Sequence, residues 1–234
     1  ANTFALDAVQ VTDGSDRVLV PETGVPVVNV DQNTGFDQLA RIDGANAGDT
    51  IEAKTGTYSE EVTLDKSLTL VGDGSSASGT VLQAPSSGSG NGIIANADGL
   101  TVRDLRVTDY SNGIRLEGAN SAITFEGVDS VGNSNRGFEV RNNVDVQDLV
   151  LDDVNFSGNS GDGLRASTES SIDGLIITNS SFNNNLGADQ SGIEIYQSES
   201  NPGLLNDVVI RDTEFIDNGQ KGIYTEKLSN ATIE

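Results

Sequence analysis

The 234-residue sequence contains no cysteine, histidine, tryptophan or methionine, and aromatic residues make up only 5% of it. The absence of cysteine excludes a disulfide framework and cysteine metal sites. The absence of histidine excludes a Ser–His–Asp triad and the usual zinc sites. No apolar run approaches the roughly 20 residues that span a bilayer, so membrane insertion is not expected. Because the sequence begins with Ala1, we interpret it as a mature protein or an excised fragment.

Positively charged residues are scarce, with 13 lysines and arginines against 36 aspartates and glutamates and a formal net charge of −23. Such a surface repels phosphate backbones and anionic membranes, so nucleic acid is not an expected partner. The acidic surface suits divalent cations, and Ca²⁺ is the one cofactor that we consider. Apolar residues reach only 35% of the chain, which argues against a helical bundle or a doubly wound α/β fold.

A short element, glycine followed by alternating apolar residues, recurs along the chain. Successive copies begin 21 to 30 residues apart, at Gly92, Gly113, Gly137, Gly163, Gly192 and Gly222. A second element alternates in the same way between the copies, as in Ile123/Phe125 and Leu149/Leu151. This period of two indicates short strands that bury one face, and no helical stretch separates them.

The economical arrangement for these strands is a stack of coils, each with three short strands and lying ~4.8 Å from the next coil. We therefore predict an all-β fold, a single-stranded parallel β-helix. Equivalent residues then lie above one another, so the inner positions form files of aliphatic and phenylalanine side chains.

An asparagine recurs at a constant distance of three residues beyond one inner position. The four residues are Asn133, Asn159, Asn185 and Asn218. The constant offset predicts a ladder of amide side chains that hydrogen-bond from coil to coil. The alternative is a plain turn preference, since asparagine tolerates the left-handed conformation.

The two ends of the repeat region differ. Phe36 and Ile42 fall on one helical face, which predicts a short capping helix over residues 34–48. Residues 1–33 precede it as a strand and loop segment, and the β-helix takes residues 49–234. The last residues repeat the pattern of an earlier coil, so we expect the β-helix to continue in a longer protein or to be covered by a partner.

Three early segments carry a family resemblance: Gly48-Asp49-Thr50-Ile51, Gly56-Thr57-Tyr58-Ser59-Glu60 and Lys66-Ser67-Leu68-Thr69-Leu70-Val71-Gly72. They resemble the opening of right-handed parallel β-helix proteins of the pectate-lyase-like superfamily. The later repeats are most similar to the catalytic module of secreted bacterial mannuronan C5-epimerases. The resemblance implies a right-handed β-helix, a secreted or cell-surface location and contact with polysaccharide.

The catalytic motif of those epimerases is altered in this sequence. Their Asp-Pro-His corresponds here to Glu139, Val140 and Arg141, which follow Gly137-Phe138. An epimerase removes a proton on one face of the sugar and returns one on the other, and the loss of histidine removes half of that pair. Pectin methylesterases share the Gly-Thr-Tyr-x-Glu opening, but their paired catalytic aspartates and tryptophan-bearing motifs are not visible here.

Alternation after each recurring glycine directs two files of side chains outward. The first is Arg115, Glu139, Arg165, Glu194 and Tyr224, and the second is Glu117, Arg141, Ser167, Tyr196 and Glu226. One interpretation is a ladder of exposed ion pairs, each contributing about 0–1 kcal/mol. The other interpretation is a groove for sugar acids on the same face.

In the groove interpretation, arginines pair with uronate carboxylates and tyrosines stack on sugar rings. The substrate-binding candidates are Arg115, Arg165, Tyr196 and Tyr224. The resemblance to β-helix uronate lyases, in which an arginine acts as base beside Ca²⁺, gives Glu139, Arg141 and Arg165 as catalytic candidates and Glu139, Glu194 and Glu169 as metal ligands.

The sequence therefore predicts a non-catalytic structural or polysaccharide-contacting module of an adhesin, surface layer or self-assembling filament. The alternative is a Ca²⁺-dependent lyase or C5-epimerase module that acts on uronate polymers. A structural module should show mixed ladders and no cleft, whereas an enzyme should show a groove with long loops, residues 198–206 forming one wall. A third hypothesis is end-to-end self-association through the last coil.

Overall fold

The computed structural model describes residues 18–19, 27–30, 45–118, 120–167, 169–195 and 205–234. The capping helix expected over residues 34–48 lies outside this part of the chain except at 45–48, which contain a turn. Tyr196 and most of the segment 198–206 also lie outside it. Within the described ranges the regular elements are β-strands, and no helix there is long and apolar enough to cross a membrane.

The described strands, in chain order, are β1 (Val18–Leu19), β2 (Val27–Val30), β3 (Thr50–Ala53), β4 (Gly56–Tyr58), β5 (Val62–Leu64), β6 (Thr69–Val71), β7 (Thr80–Gln83), β8 (Ser89–Ala95), β9 (Thr101–Thr108), β10 (Tyr110–Leu116), β11 (Asn120–Val131), β12 (Phe138–Val140), β13 (Asp145–Asp152), β14 (Leu164–Ala166), β15 (Ser171–Thr178), β16 (Ile193–Ile195), β17 (Leu205–Arg211), β18 (Ile223–Thr225) and β19 (Leu228–Ile233).

These strands form two sheets, and from β8 onward the chain alternates between them. The small sheet has the order β5-β8-β10-β12-β14-β16-β18. The large sheet has the order β1-β2-β3-β6-β9-β11-β13-β15-β17-β19, with β4 and β7 beside this path. The β1–β2 pair is antiparallel, and the pairs between successive coils are parallel. This topology is the parallel β-helix expected from the sequence.

The interior consists of stacked files of apolar side chains. Ile114 pairs with Phe138, Phe138 with Leu164, and Leu164 with Ile193 on successive strands of the small sheet. All four are at most 1% exposed. Phe138 also stacks on Phe156 with ring centroids 5.5 Å apart. The recurring glycines therefore mark successive coils, as the alternation predicts.

Turns with positive φ angles explain much of the glycine, asparagine and aspartate content. These residue types tolerate the left-handed region better than others. One file with φ between 50° and 79° lies within strands of the large sheet and consists of Ala122, Asp148, Gly174, Asp207 and Asn230. Another has φ between 52° and 68° and consists of Asp109, Gly132, Gly158, Asn184 and Asp217.

The recurring glycines have a different cause, because their φ angles are not positive. A Cβ atom on Gly163 would lie 2.6 Å from the carbonyl oxygen of Gly192 and 2.9 Å from Asn185 Nδ2. A Cβ atom on Gly137 would lie 2.7 Å from the carbonyl oxygen of Gly163. The coils approach so closely at this file that a side chain does not fit.

The third strand of each coil is reduced in the later coils. Isolated bridges link Asp129 to Asn155, Asn155 to Ser181, and Ser181 to Glu214. The expectation of three strands in every coil stays a prediction, while the stacking of coils is evident in both sheets.

Candidate functional site

The outer face of the small sheet collects most of the residues that the sequence singles out. Its first outward file is in register from strand to strand, and consists of Arg115, Glu139, Arg165, Glu194 and Tyr224. Positive and negative side chains alternate along the first four positions of this file. The outer surface of β10 to β16 is therefore a grid of opposite charges.

Glu139 has three partners at the centre of this grid. Its Oε1 accepts hydrogen bonds from Arg136 Nη1 and, at 3.3 Å, from the Ser167 hydroxyl. Its Oε2 lies 3.5 Å from Arg115 Nε. The Glu139 side chain is only 10% exposed. The expected ladder of exposed ion pairs is thus wrong in one respect, because this carboxylate is largely withdrawn from solvent.

Arg165 contacts two further carboxylates, one on its own coil and one on the next coil. Its Nη1 lies 3.4 Å from Asp162 Oδ2 and 3.6 Å from Glu194 Oε2. The Asp162 side chain has no exposed surface, and the Glu194 side chain is 12% exposed. Asp162 Oδ1 also accepts a hydrogen bond of 2.8 Å from the Ser191 backbone N–H. Arg165 therefore lies between two carboxylates that are almost fully buried.

Burial shifts the protonation equilibria of this grid. Burial raises the pKa of Glu194 above its ordinary value, Asp162 adds to the rise, and Arg165 opposes it. Burial also lowers the pKa of Arg136, and Glu139 opposes that change. The ionised form of Glu194 is thus disfavoured in the folded protein.

The raised pKa of Glu194 predicts a pH dependence of stability. The folded state takes up a proton here at a higher pH than the unfolded state, so the free energy of unfolding should rise as pH falls from neutral through the folded-state pKa. The contribution of Glu194 to the free energy of unfolding becomes constant below its pKa in the unfolded state, about 4.3. Urea unfolding of Glu194→Gln across this range should show a flatter pH profile than the wild type. Glu234→Gln, at an exposed residue that directly follows β19, is the control. Equal profiles for wild type and Glu194→Gln would contradict the assignment.

Two residues of the grid escape the sequence analysis. Arg136 and Asp162 each lie directly before a recurring glycine, and the alternation rule covers the residues after the glycine. Each contacts the residue of the outward file that lies three positions later: Arg136 contacts Glu139, and Asp162 contacts Arg165. A recurring charged residue directly before the glycine could have identified both positions in the sequence. Lys221, which precedes Gly222, is a third example.

Arg141 has a different environment from the other arginines of this face. Its side chain is 54% exposed, and its Nη1 lies 3.6 Å from Glu117 Oε1. It borders a depression of about 480 Å³ lined by Arg115, Gly118, Glu139, Arg141, Asn142, Asn143 and Val144. Among the catalytic candidates, Glu139 and Arg165 are largely buried among opposite charges, whereas Arg141 is half-exposed and borders the depression.

The three carboxylates expected to hold a metal do not converge. Arg165 separates Glu139 from Glu194 in the strand register. Glu169 lies in the turn after β14, with a φ of 64°. A second depression, of about 330 Å³, includes Asp129 and Asp153 in its lining. Within the described residues, no group of three or more carboxylates is placed to hold a metal ion.

Of the two tyrosines predicted to stack on sugar rings, the structure describes Tyr224. Tyr224 lies in the outward file next to Glu194. The Lys221 ammonium lies 3.7 Å from the centre of its ring, and its hydroxyl donates to Glu226 Oε1 at 2.9 Å. One face of this ring is therefore occupied by a cation. Tyr196 is outside the described residues.

The four asparagines of the sequence repeat form a continuous series of hydrogen bonds at one corner of the coils. Asn133 Nδ2 donates to Asn159 Oδ1 at 3.0 Å, and Asn159 Nδ2 donates to Asn185 Oδ1 at 3.2 Å. Asn185 Nδ2 donates to Asn218 Oδ1 at 3.1 Å. Each of these oxygens also accepts the backbone N–H of the preceding asparagine. These residues hold coils together and do not line the depression.

A family model described as right handed beta helix region matches residues 91–234, more than half of the chain. No curated protein sequence matches the chain.

Solved structures with similar folds include several enzymes. A pectate lyase is 16% identical with a TM-score of 0.47, over 82% of this chain and 55% of its own. A pectin methylesterase from Erwinia chrysanthemi is 13% identical with a TM-score of 0.42, over 74% of this chain and 58% of its own. The A-module of a mannuronan C-5 epimerase from Azotobacter vinelandii is 11% identical with a TM-score of 0.27, over 80% of this chain and 91% of its own. The chain spans little more than half of the first two structures.

Proposed function

Because the chain belongs to the right-handed β-helix family, we propose that it is a non-catalytic module that contacts polysaccharide through the outer face of its small sheet. The contact centres on the depression beside Arg141. The observation that carries the proposal is the contrast on this face between reactive groups that are largely buried among opposite charges and the half-exposed guanidinium of Arg141.

The state of the candidate reactive groups favours binding over turnover. A general base must be free to reach the proton it removes, and of the three catalytic candidates only Arg141 is half-exposed. Glu139 already has Arg136, Arg115 and Ser167 as partners. Asp162 has a buried side chain, so a sugar cannot touch it. These contacts support a role for the grid in holding the coils together.

The depression offers the chemistry that a sugar requires. Asn142 and Asn143 provide amide donors and acceptors for hydroxyl groups, and Arg141 provides a forked donor. Local charge also favours an acidic ligand: Arg115, Arg136 and Arg141 are set against Glu117 and Glu139. This small excess of positive charge stands out on a chain of net charge −23. Long-range repulsion from the remaining surface is screened within about 8 Å at physiological salt.

Replacing Arg141 with glutamine tests the binding proposal. We expect the wild type to bind alginate or pectate in calorimetry, and Arg141→Gln to bind about tenfold more weakly because it loses a charge-assisted contact. Arg211→Gln is the matched control, since Arg211 is similarly exposed and pairs with Glu234 at 3.1 Å on the large sheet. Equal losses in both variants, or no binding by the wild type, would contradict the proposal.

The absence of turnover needs its own assay. Incubation of the protein with alginate and with pectate, each with and without Ca²⁺, should give neither unsaturated product nor a changed uronate ratio. Either change would reject the non-catalytic role and favour the lyase or epimerase alternative. A gain of binding with Ca²⁺ alone would support calcium as a bridging cofactor.

The proposal includes a setting outside the cell. A stiff stack of coils with a polysaccharide-contacting face suits a secreted or cell-surface adhesin, surface layer or filament. End-to-end self-association belongs to the same proposal. Sedimentation over a range of concentrations separates polymers from a strictly monomeric protein, and the latter would count against a filament.

A further inference from the structure

We infer that Glu117 is a competing internal carboxylate that limits the affinity of the Arg141 depression for acidic sugars. The inference rests on the proposed function, and it adds a specificity-determining residue that lies at the edge of the site. It is argued from the contacts of three side chains: Arg115, Glu117 and Arg141.

Glu117 lies closer to one of the two arginines than to the other. Glu117 Oε1 lies 3.1 Å from Arg115 Nε and 3.6 Å from Arg141 Nη1. The first distance is that of a close ion pair, whereas the second exceeds hydrogen-bond range. Glu117 is therefore anchored by Arg115 and only neighbours Arg141. The Arg141 donors stay available to a carboxylate that enters from the depression.

The same geometry sets the cost of binding an acidic ligand. A ligand carboxylate on Arg141 must share the guanidinium with Glu117, whose charge then lies a few ångströms away. Two charges at ~4 Å interact by about 1 kcal/mol even in water. The weak contact at 3.6 Å holds Arg141 in place poorly, since exposed pairs contribute about 0–1 kcal/mol. The repulsion is at the upper end of what the contact could contribute, so we expect the net effect of Glu117 on an acidic ligand to be unfavourable.

Removal of the Glu117 charge should strengthen binding of an acidic sugar. We expect Glu117→Gln to bind tetragalacturonate about two- to fivefold more tightly than the wild type. The fully methyl-esterified tetramer has the same rings without the charges, and its affinity should change less. Glu234→Gln is the matched control, because it removes one carboxylate that pairs with an arginine at 3.1 Å on the large sheet. It should leave both affinities unchanged.

A double variant tests whether Glu117 acts through Arg141. In Arg141→Gln the Glu117→Gln change should add little affinity, so the two effects should be strongly non-additive. A ligand-free measurement runs in parallel: the rate at which phenylglyoxal modifies Arg141, mapped by mass spectrometry, should rise in Glu117→Gln. Glu234→Gln should leave that rate unchanged.

The outcomes separate this inference from the proposed function. Binding by the wild type with unchanged or weaker binding by Glu117→Gln would overturn the inference and leave the proposed function standing. No binding of either tetramer by the wild type would overturn the proposed function. In that case the phenylglyoxal rate still decides whether the nearby Glu117 charge affects Arg141, and an unchanged rate would overturn the inference as well.

Discussion

Replacing Gly163 with alanine is expected to destabilise this protein strongly. The new Cβ would lie 2.6 Å from the Gly192 carbonyl oxygen and 2.8 Å from that of Phe156. Neither oxygen can move freely, because both belong to the backbone of packed coils, and Leu164 N–H donates to the Gly192 oxygen at 2.9 Å. We expect a loss of about 3 kcal/mol or more in the free energy of unfolding.

Gly158→Ala provides the control for this substitution. Gly158 has a φ of 68°, and nothing lies within 4 Å of an added Cβ. It therefore reports the cost of left-handed backbone alone, about 1–2 kcal/mol. Urea unfolding of both variants measures the difference. If Gly163→Ala lost no more stability than Gly158→Ala, close approach of the coils would not be the reason for the recurring glycine.

Replacing Asn159 with alanine is the second change with a large expected effect. Asn159 Oδ1 accepts from the backbone N–H and the Nδ2 of Asn133, both at 3.0 Å. Its Nδ2 donates to Asn185 Oδ1 and to the Ser130 carbonyl oxygen, both at 3.2 Å. All of these residues are buried. Alanine leaves several polar groups without partners, and we expect a loss of about 3 kcal/mol.

Asn142→Ala is the matched control, since Asn142 lies in an exposed turn. It should change the free energy of unfolding by about 0.5 kcal/mol or less. Hydrogen exchange gives a second measurement, because the Asn133 amide should lose protection in Asn159→Ala. Unchanged exchange at Asn133 would show that the ladder is not what secures this corner of the coils.

Much of the fold could be predicted because the same pattern of glycine and apolar residues recurs in each coil. Gly137-Phe138 and Gly163-Leu164 place an inner residue at the same distance from a glycine, so their pairing follows from the sequence. The outward file follows from the same alternation. The degree of burial does not, because Glu139 is covered by Arg136, a residue on the other side of the glycine. The alternation of residues within a strand does not show which side chains from an adjacent turn will cover that strand.

The candidate metal ligands show a second limit of the sequence. Glu139 and Glu194 share a file, but a shared file fixes direction and not distance. They lie two strand spacings apart, about 9.6 Å at the usual spacing, with one coil between them. A cation needs ligands at one level, at 2.3–2.6 Å for Ca²⁺. The sequence readily shows to which file each carboxylate belongs. The position of a carboxylate along the stack becomes clear only when its residue is assigned to a coil.

The asparagine ladder also determines how such a protein can change its length. Asn133, Asn159 and Asn185 are spaced at intervals of 26 residues. Deletion or duplication of a whole interval leaves every amide opposite another amide and shifts the far end by one strand spacing. A gain or loss of a few residues in the ladder corner would instead misalign every later rung. Lengthening along the stack is thus restricted to whole coils, although a single coil can take extra residues away from this corner, as the 33 residues from Asn185 to Asn218 show.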